Sequence, residues 1–451
     1  MLRKPSPVYN RLMDVIGRMP VVDCHEHMGG PDSKLVTAHR EPILALTAGY
    51  FTSDLWAAGA SDEEIALIQS EEASTDEKWP VFSRLWAATE HTAYARVTKL
   101  VLKETYGVDE LTRASLDRVA EQLNGHDRST YLKTMDDAGI RAVVADVLFP
   151  IQAPAPARYF SNPNLQDFLE GRFPMPPAWH PVFSLPYFHE IRRREFIDYV
   201  GAVSKSTITL LEEYEEAVFE LIERSKGLGG IALKDQSAYR RAISYDLPPR
   251  SDAERLFNKL LIDPRAQLAW PEARPLDDYL FHQYMRFARE LDLPVQVHTG
   301  HMAHIRNRVD KANAAHLAPV LELHSNVRFD LFHGNWPYMG DLLFLGKNYP
   351  NVTLDLCWVH IIDPLYAQEL LKRAVMTVPH AKIHGFGGDY RDFPEFAAAH
   401  LAIAREVIAG ALADLVECGW LEEEEAIRLA AEWLFNNPNR FYRLGMEPYE
   451  A

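Results

Sequence analysis

Cysteine is scarce in this chain: Cys24, Cys357 and Cys418 are the only three in 451 residues. Three scattered thiols exclude a disulfide framework or a cysteine-rich zinc module, and they fit a reduced, cytoplasmic protein. Positive charge is also short. Lys and Arg number 47 against 64 Asp and Glu, a formal charge of −17, so no surplus of cations is left for a nucleic-acid backbone or an anionic membrane. No window approaches about 20 uninterrupted apolar residues. The opening MLRKPSPVYNRLMDVIGRMP is basic but lacks the apolar stretch of a signal peptide, so neither export nor anchoring is expected. Flexible Gly/Ser linkers, low-complexity tracts and internal repeats are missing too, which argues against a string of separate domains.

What is present is apolar and periodic. Hydrophobic residues make up 47% of the chain, enough for a large core. Strand-like runs occur at 21–22, 140–148, 180–185, 230–234, 294–298, 327–333, 352–357 and 382–386, eight in all. Amphipathic helical stretches at 192–226, 276–292, 311–324, 338–348, 363–378 and 396–416 alternate with the later strands, the pattern of a parallel sheet. Eight such units predict an α/β fold, a distorted (β/α)₈ TIM barrel spanning 1–451 as one domain. Helical periodicity over 53–69, 80–106 and 112–123 predicts a helical insertion at about 28–130, after the first strand. The segment at about 149–181, crowded with prolines and aromatics, reads as an irregular loop on the face where barrel sites form.

Chemistry in such barrels sits at the C-terminal strand ends. Those ends carry His25 and His27 on the first strand, Lys234 on the fourth, His298 on the fifth, His333 on the sixth and Asp389 after the eighth. His25 and His27 are two apart on a strand, so both aim the same way while Glu26 points away. Each polar group follows an apolar run, where an unpaired charge is costly and a shared metal removes the cost. Four imidazoles and a carboxylate suit zinc, with manganese or iron as alternatives, as one or two divalent ions per chain. Lys234 fits either a salt bridge to Asp146 or Asp389, or a carbamate bridging two ions. Taken singly, His298 and His333 read equally well as core histidines.

These motifs resemble the amidohydrolase superfamily of metal-dependent barrels: HEH at 25–27, IALKDQSAYR around Lys234, VHTG at 297–300, FHGNWP at 332–337, GGDY at 387–390 and NNPNRFYRL at 436–444. The nearest flavour is similar to the amidohydrolase 2 family, including barrel domains fused with glutamine-synthetase-like enzymes. The insertion around Trp56, Trp79, Trp86 and Tyr106 resembles that of uronate isomerases, a distant kinship of fold. The resemblance implies that His25 and His27 hold a buried ion, that His298 and His333 hold a more exposed one, and that a carboxylated Lys234 spans them. Asp389 completes the first set and serves as acid and base with Lys234 as the other catalytic group. It implies a hydrolase in which a metal-activated hydroxide attacks an amide, lactone or ester of a small carboxylated substrate. The alternative is a mononuclear-metal decarboxylase or uronate-isomerase-like enzyme.

Substrate contacts are expected from Tyr239, Arg240, His301, Arg391 and Trp336, each of which reads as well as packing or surface pairing. The expected partner is a small molecule, with no nucleic acid and no membrane; a homo-oligomer is compatible with the composition. Gly385, Gly387 and Gly388 lack the spacing of a dinucleotide loop. Glu422 to Glu425 reads as a helix start.

Overall fold

The computed structural model describes residues 5–28, 41–47, 49–148, 165–173, 175–391 and 393–451. Eight strands form one sheet in chain order: β1 Val21–Glu26, β2 Ile140–Leu148, β3 Trp179–Ser184, β4 Ala232–Asp235, β5 Val295–Val297, β6 Phe329–Leu331, β7 Val352–Asp355 and β8 Ile383–His384. All seven neighbouring pairs are parallel. Strands buried on both faces need apolar residues on both, which is why they read as Val, Ile and Leu runs. The barrel closes where β1 meets the chain leaving β8. There Cys24 N–H donates to the Phe386 carbonyl (3.1 Å), Asp389 N–H to the His25 carbonyl (2.8 Å) and His27 N–H to the Tyr390 carbonyl (2.8 Å).

The opposite end of the barrel is filled from the C-terminal segment. Phe435 and Tyr442 pack with Val22, Cys24, Ala142, Val144, Val182 and Ala232, small strand residues that leave room for two large rings. The NNPNRFYRL motif therefore has a packing role. Between β1 and β2, helices Pro42–Leu46, Phe51–Ala57, Asp62–Ile68, Thr75–Thr89, Ala93–Leu100, Arg113–Asn124 and Arg128–Asp137 form the inserted layer. Ser61 with Glu64 and Ser74 with Glu77 make capping boxes that start two of them.

The helical expectations differ from the structure at several points: 311–324, for example, is the 3-10 turns Val309–Lys311 and Ala314–Leu317 leading into the helix Ala318–Leu323. The stretch 192–226 is two helices, Arg194–Ser204 and Leu211–Gly227, because Lys205 ends the first in a left-handed conformation (φ 62°). Arg250–Ile262 is a further helix that the earlier pattern missed. Part of the proline-rich loop, 149–164 and 174, lies outside the described residues, as do 29–40 and 48 of the insertion. Pro394–Glu417 is long and apolar enough to cross a membrane by length and composition, yet 72% of its apolar window is buried inside the protein. It packs against Pro7–Ile16 and Pro364–Thr377.

A polar layer crosses the barrel beneath the mouth. His384 Nδ1 lies 2.9 Å from Asp330 Oδ2 and 3.6 Å from Asp355 Oδ2. Tyr442 also donates to Asp330. Burial opposes charge on His384, but Asp330 and Asp355 outweigh it and raise the imidazole to about 9. A folded pKa above the ordinary 6.5 means that this stabilisation is complete below pH 6.5 and lost as pH rises through about 9. Thermal melts should therefore show a midpoint that falls across that window, with a flatter slope in His384→Gln.

Candidate metal centre

Asp389 sits at the seam between β1 and β8, and its peptide is held from several sides. Asp23 Oδ1 accepts N–H bonds from Gly388 (3.0 Å) and His25 (3.2 Å). Glu26 Oε2 accepts the Tyr390 N–H at 2.6 Å. Tyr50, from the insertion, donates its hydroxyl to the Asp389 carbonyl. Asp389 itself is left-handed, with φ 63°, an uncommon state that a surrounding clamp can maintain. A Cβ on Gly388 would come within 1.9 Å of Glu26 Oε1, so only glycine fits there. Burial raises Asp23 to about 7 and, helped by the Asp23 charge, lifts Glu26 well above the usual range. The adjacent carboxyls therefore retain a proton near neutrality.

The two histidines at the end of β1 face Asp389. His25 Nε2 lies 3.4 Å and His27 Nε2 3.3 Å from Asp389 Oδ1. His27 Nδ1 is 2.9 Å from the Asp146 carbonyl. A carbonyl only accepts, so Nδ1 carries a hydrogen and Nε2 is the nitrogen that faces the carboxylate; burial opposes charge on this ring, but the contact with Asp389 and the charge of Asp146 outweigh it and raise its pKa. The same logic fixes two more rings. His298 Nε2 donates to the His301 carbonyl (2.7 Å) and His333 Nδ1 to the Cys357 carbonyl (3.1 Å). Their remaining nitrogens, His298 Nδ1 and His333 Nε2, meet at 3.0 Å. Burial, then Lys234, holds His298 down to about 3, and burial, then His298, holds His333 well below its usual value. Two lone pairs facing each other at that distance repel unless a cation lies beside them.

A divalent ion satisfies this geometry. Two atoms each about 2.1 Å from one ion lie roughly 3.0–3.4 Å apart at octahedral or tetrahedral angles. That range covers the His25, His27 and His298–His333 separations given above. Two groups of ligand atoms, each mutually within 4.8 Å, share Asp389: one adds His25 and His27, the other His333 and Cys357. Burial leaves Asp389 an acid that would prefer its proton, yet His25 and His27 outweigh that and hold it well below the usual carboxylate range.

Lys234 is buried, and among the described residues Nζ has no hydrogen-bond partner. Its ammonium position lies 3.8 Å over the Phe332 ring, and Phe332 in turn packs edge-on to His25. Burial lowers its pKa against the pull of Asp146 and Asp389. Of the residues expected to touch substrate, Tyr239, His301 and Trp336 gather on the His298 side. The Tyr239 ring is 4.8 Å from that of His298, and His301 lies between Trp336 (5.4 Å) and Trp358 (4.9 Å). Arg240 is tied to Glu190 at 2.7 Å. Arg391 follows Asp389 by two residues, and its charge, after burial, lowers His304. Trp358 is fully buried, and the insertion covers it with Tyr50 at 4.1 Å and Tyr94 at 6.3 Å.

Sequence reasoning missed Asp23, Tyr50 and Cys357. The first lies inside an apolar strand and the second far away in sequence. Cys357 had a findable signal: it stands two residues past the end of β7, as His333 stands two past β6.

Residues 211–444, just over half the chain, match the pattern of the family described as amidohydrolase. Over 230 residues the chain is 29% identical to the protein fluG of Emericella nidulans, covering 49% of this chain and 26% of that protein. Over 216 residues it is 28% identical to a uronate isomerase of Phenylobacterium zucineum, covering 43% of each. The chain thus spans under half the length of the curated relatives it matches. The structure of a uronate isomerase from Thermotoga maritima superposes with a TM-score of 0.73 over 97% of this chain and 98% of the other, at 15% identity, a likeness of fold.

An ion bound only by the folded state stabilises it by about 2.7 kcal/mol at a free concentration 100 times Kd. Stripping with a chelator should lower the thermal midpoint, and zinc or manganese should restore it. Melts that ignore both treatments would count against this centre.

Proposed function

Because the chain belongs to the amidohydrolase family, we propose that it is a metal-dependent hydrolase cleaving an amide, lactone or ester bond in a small carboxylated molecule. The observation that carries this reading is the shared carboxylate: Asp389 belongs to both ligand groups, so one side chain would reach both the ion that activates water and the ion that polarises the carbonyl. Divalent ions held by His25, His27 and Asp389 and by His298 and His333 would lower the pKa of water to near 7 and polarise a substrate carbonyl. Zinc is the ion we favour, with manganese or iron as alternatives.

The chain's own groups do the rest. Asp389, held ionised by His25 and His27, takes the proton of the attacking water and returns it to the leaving nitrogen or oxygen. His298 and His333 keep their pocket-facing nitrogens unprotonated because backbone carbonyls fix their tautomers. Tyr50, Tyr94 and Trp358 shield that side from bulk water. Lys234, buried and without a hydrogen-bond partner among the described residues, can attack carbon dioxide through its neutral amine. The new C–N bond expels a proton to solvent and leaves a carbamate with two acceptor oxygens. Tyr239, His301 and Trp336 would contact the substrate, and Arg391 would pair with its carboxylate.

A second reading keeps the barrel with one ion and an unmodified Lys234, and performs decarboxylation or uronate isomerisation. Its support is the matched uronate isomerase, together with the position of Lys234 over Phe332.

Metal-loaded protein should be screened against N-acyl amino acids and carboxylated lactones in parallel with uronates and aromatic acids. Hydrolysis of the first set, reduced about a hundredfold to ten-thousandfold in Asp389→Asn, is expected. Turnover confined to the second set, with one ion per chain, would replace hydrolysis by the second reading. Bicarbonate should speed metal uptake by the wild type and leave Lys234→Ala unaffected; equal responses would remove the carbamate.

A further inference from the structure

Cys357 lies where the candidate metal centre meets the end of β7. Its sulfur, a ring nitrogen of His333 and a carboxylate oxygen of Asp389 are all within 4.8 Å of one another, and all three side chains are buried. A buried cysteine ordinarily behaves as a small hydrophobe. This one is surrounded differently. The Asp355 carboxylate accepts the Cys357 N–H at 2.6 Å, while the Cys357 carbonyl accepts from His333 Nδ1. A Cβ at Gly387 would meet Cys357 Cβ and Sγ at 2.8 Å, so glycine leaves the sulfur its space. A further observation points to a bound cation: the facing lone pairs of His298 Nδ1 and His333 Nε2, 3.0 Å apart.

We propose that Cys357 is a thiolate ligand of the ion held on the His333 side of the centre, and that this half-site therefore takes a borderline-soft ion of the zinc class rather than magnesium or manganese. The inference rests on the metal-dependent reading above and adds to it which sulfur binds and which ion is selected. On binding, the S–H bond breaks, the proton goes to solvent and an S–metal bond forms. Sulfur donors favour zinc, cobalt and copper, whereas magnesium and manganese prefer oxygen.

Cobalt(II) tests this because a thiolate bound to it gives a sulfur-to-metal charge-transfer band in the near ultraviolet, which nitrogen and oxygen ligands do not. Metal-stripped full-length protein is titrated with cobalt while absorbance and bound metal are followed together. The band should appear in the wild type and in Cys24→Ser and Cys418→Ser, and vanish in Cys357→Ser and Cys357→Ala. Zinc should displace cobalt and abolish the band, and a hundredfold excess of magnesium should not. Bound cobalt without the band in the wild type overturns the thiolate and leaves the metal centre standing. A band that survives both Cys357 variants and is lost in Cys24→Ser overturns it in favour of the group Cys24, Asp355 and His384. No cobalt bound at all overturns the metal-dependent reading as a whole. If the Cys357 variants fail to fold, the Cys24→Ser and Cys418→Ser spectra decide: a band kept in both assigns it to Cys357, and a band lost in Cys24→Ser overturns the proposal.

Discussion

The seam between β1 and β8 is the constraint on which the site depends. Three backbone hydrogen bonds join the strands there, and two buried carboxyls, Asp23 and Glu26, grip the amides on either side of Asp389. The clamp keeps Asp389 left-handed and aims its side chain at His25 and His27. Barrel closure and placement of the central carboxylate are thus one event. Loss of the Asp23 or Glu26 acceptor would leave buried N–H groups unpaired, each costing about 1–3 kcal/mol, and would free the loop that carries the chemistry.

A second regularity concerns orientation. His27, His298 and His333 each spend one ring nitrogen on a backbone carbonyl, and the three carbonyls belong to Asp146, His301 and Cys357. The backbone of β2, of the loop after β5 and of the chain after β7 therefore decides which nitrogen faces the pocket. Such outer partners fix tautomer and ring direction in metal sites generally. Buried, neutral imidazoles aimed at one another are unfavourable in an empty core and favourable around an ion, so the arrangement makes sense as a binding site. The insertion adds the remaining wall. Tyr50 contributes both a hydrogen bond to Asp389 and a ring against Trp358, linking the cover to the centre.

Much of this was legible in the sequence. All eight strands could be read because short Val, Ile and Leu runs buried on both faces leave a pattern that helices do not share. His25, His27, His298, His333 and Asp389 could be gathered because barrel strands deliver their ends to one rim. Other features left no local trace. The clamp by Asp23 looks like an acid interrupting a strand, and its partner Gly388 lies 365 positions away. Arg240 reads as a free cation until its pairing with Glu190 is seen. The break at Lys205 is invisible to periodicity because apolar spacing continues on both sides of it. Cys357 passes for core because its neighbours in sequence, Leu356 and Trp358, are core.

Divalent metal is expected in the space framed by Asp389 and the four histidines. Anomalous diffraction at the metal absorption edge, from crystals of protein purified without chelator, tests it most directly. A peak is expected within bonding distance of His25, His27 and Asp389, with a second beside His298 and His333. No anomalous peak in either position, with the imidazoles oriented as described, would contradict it.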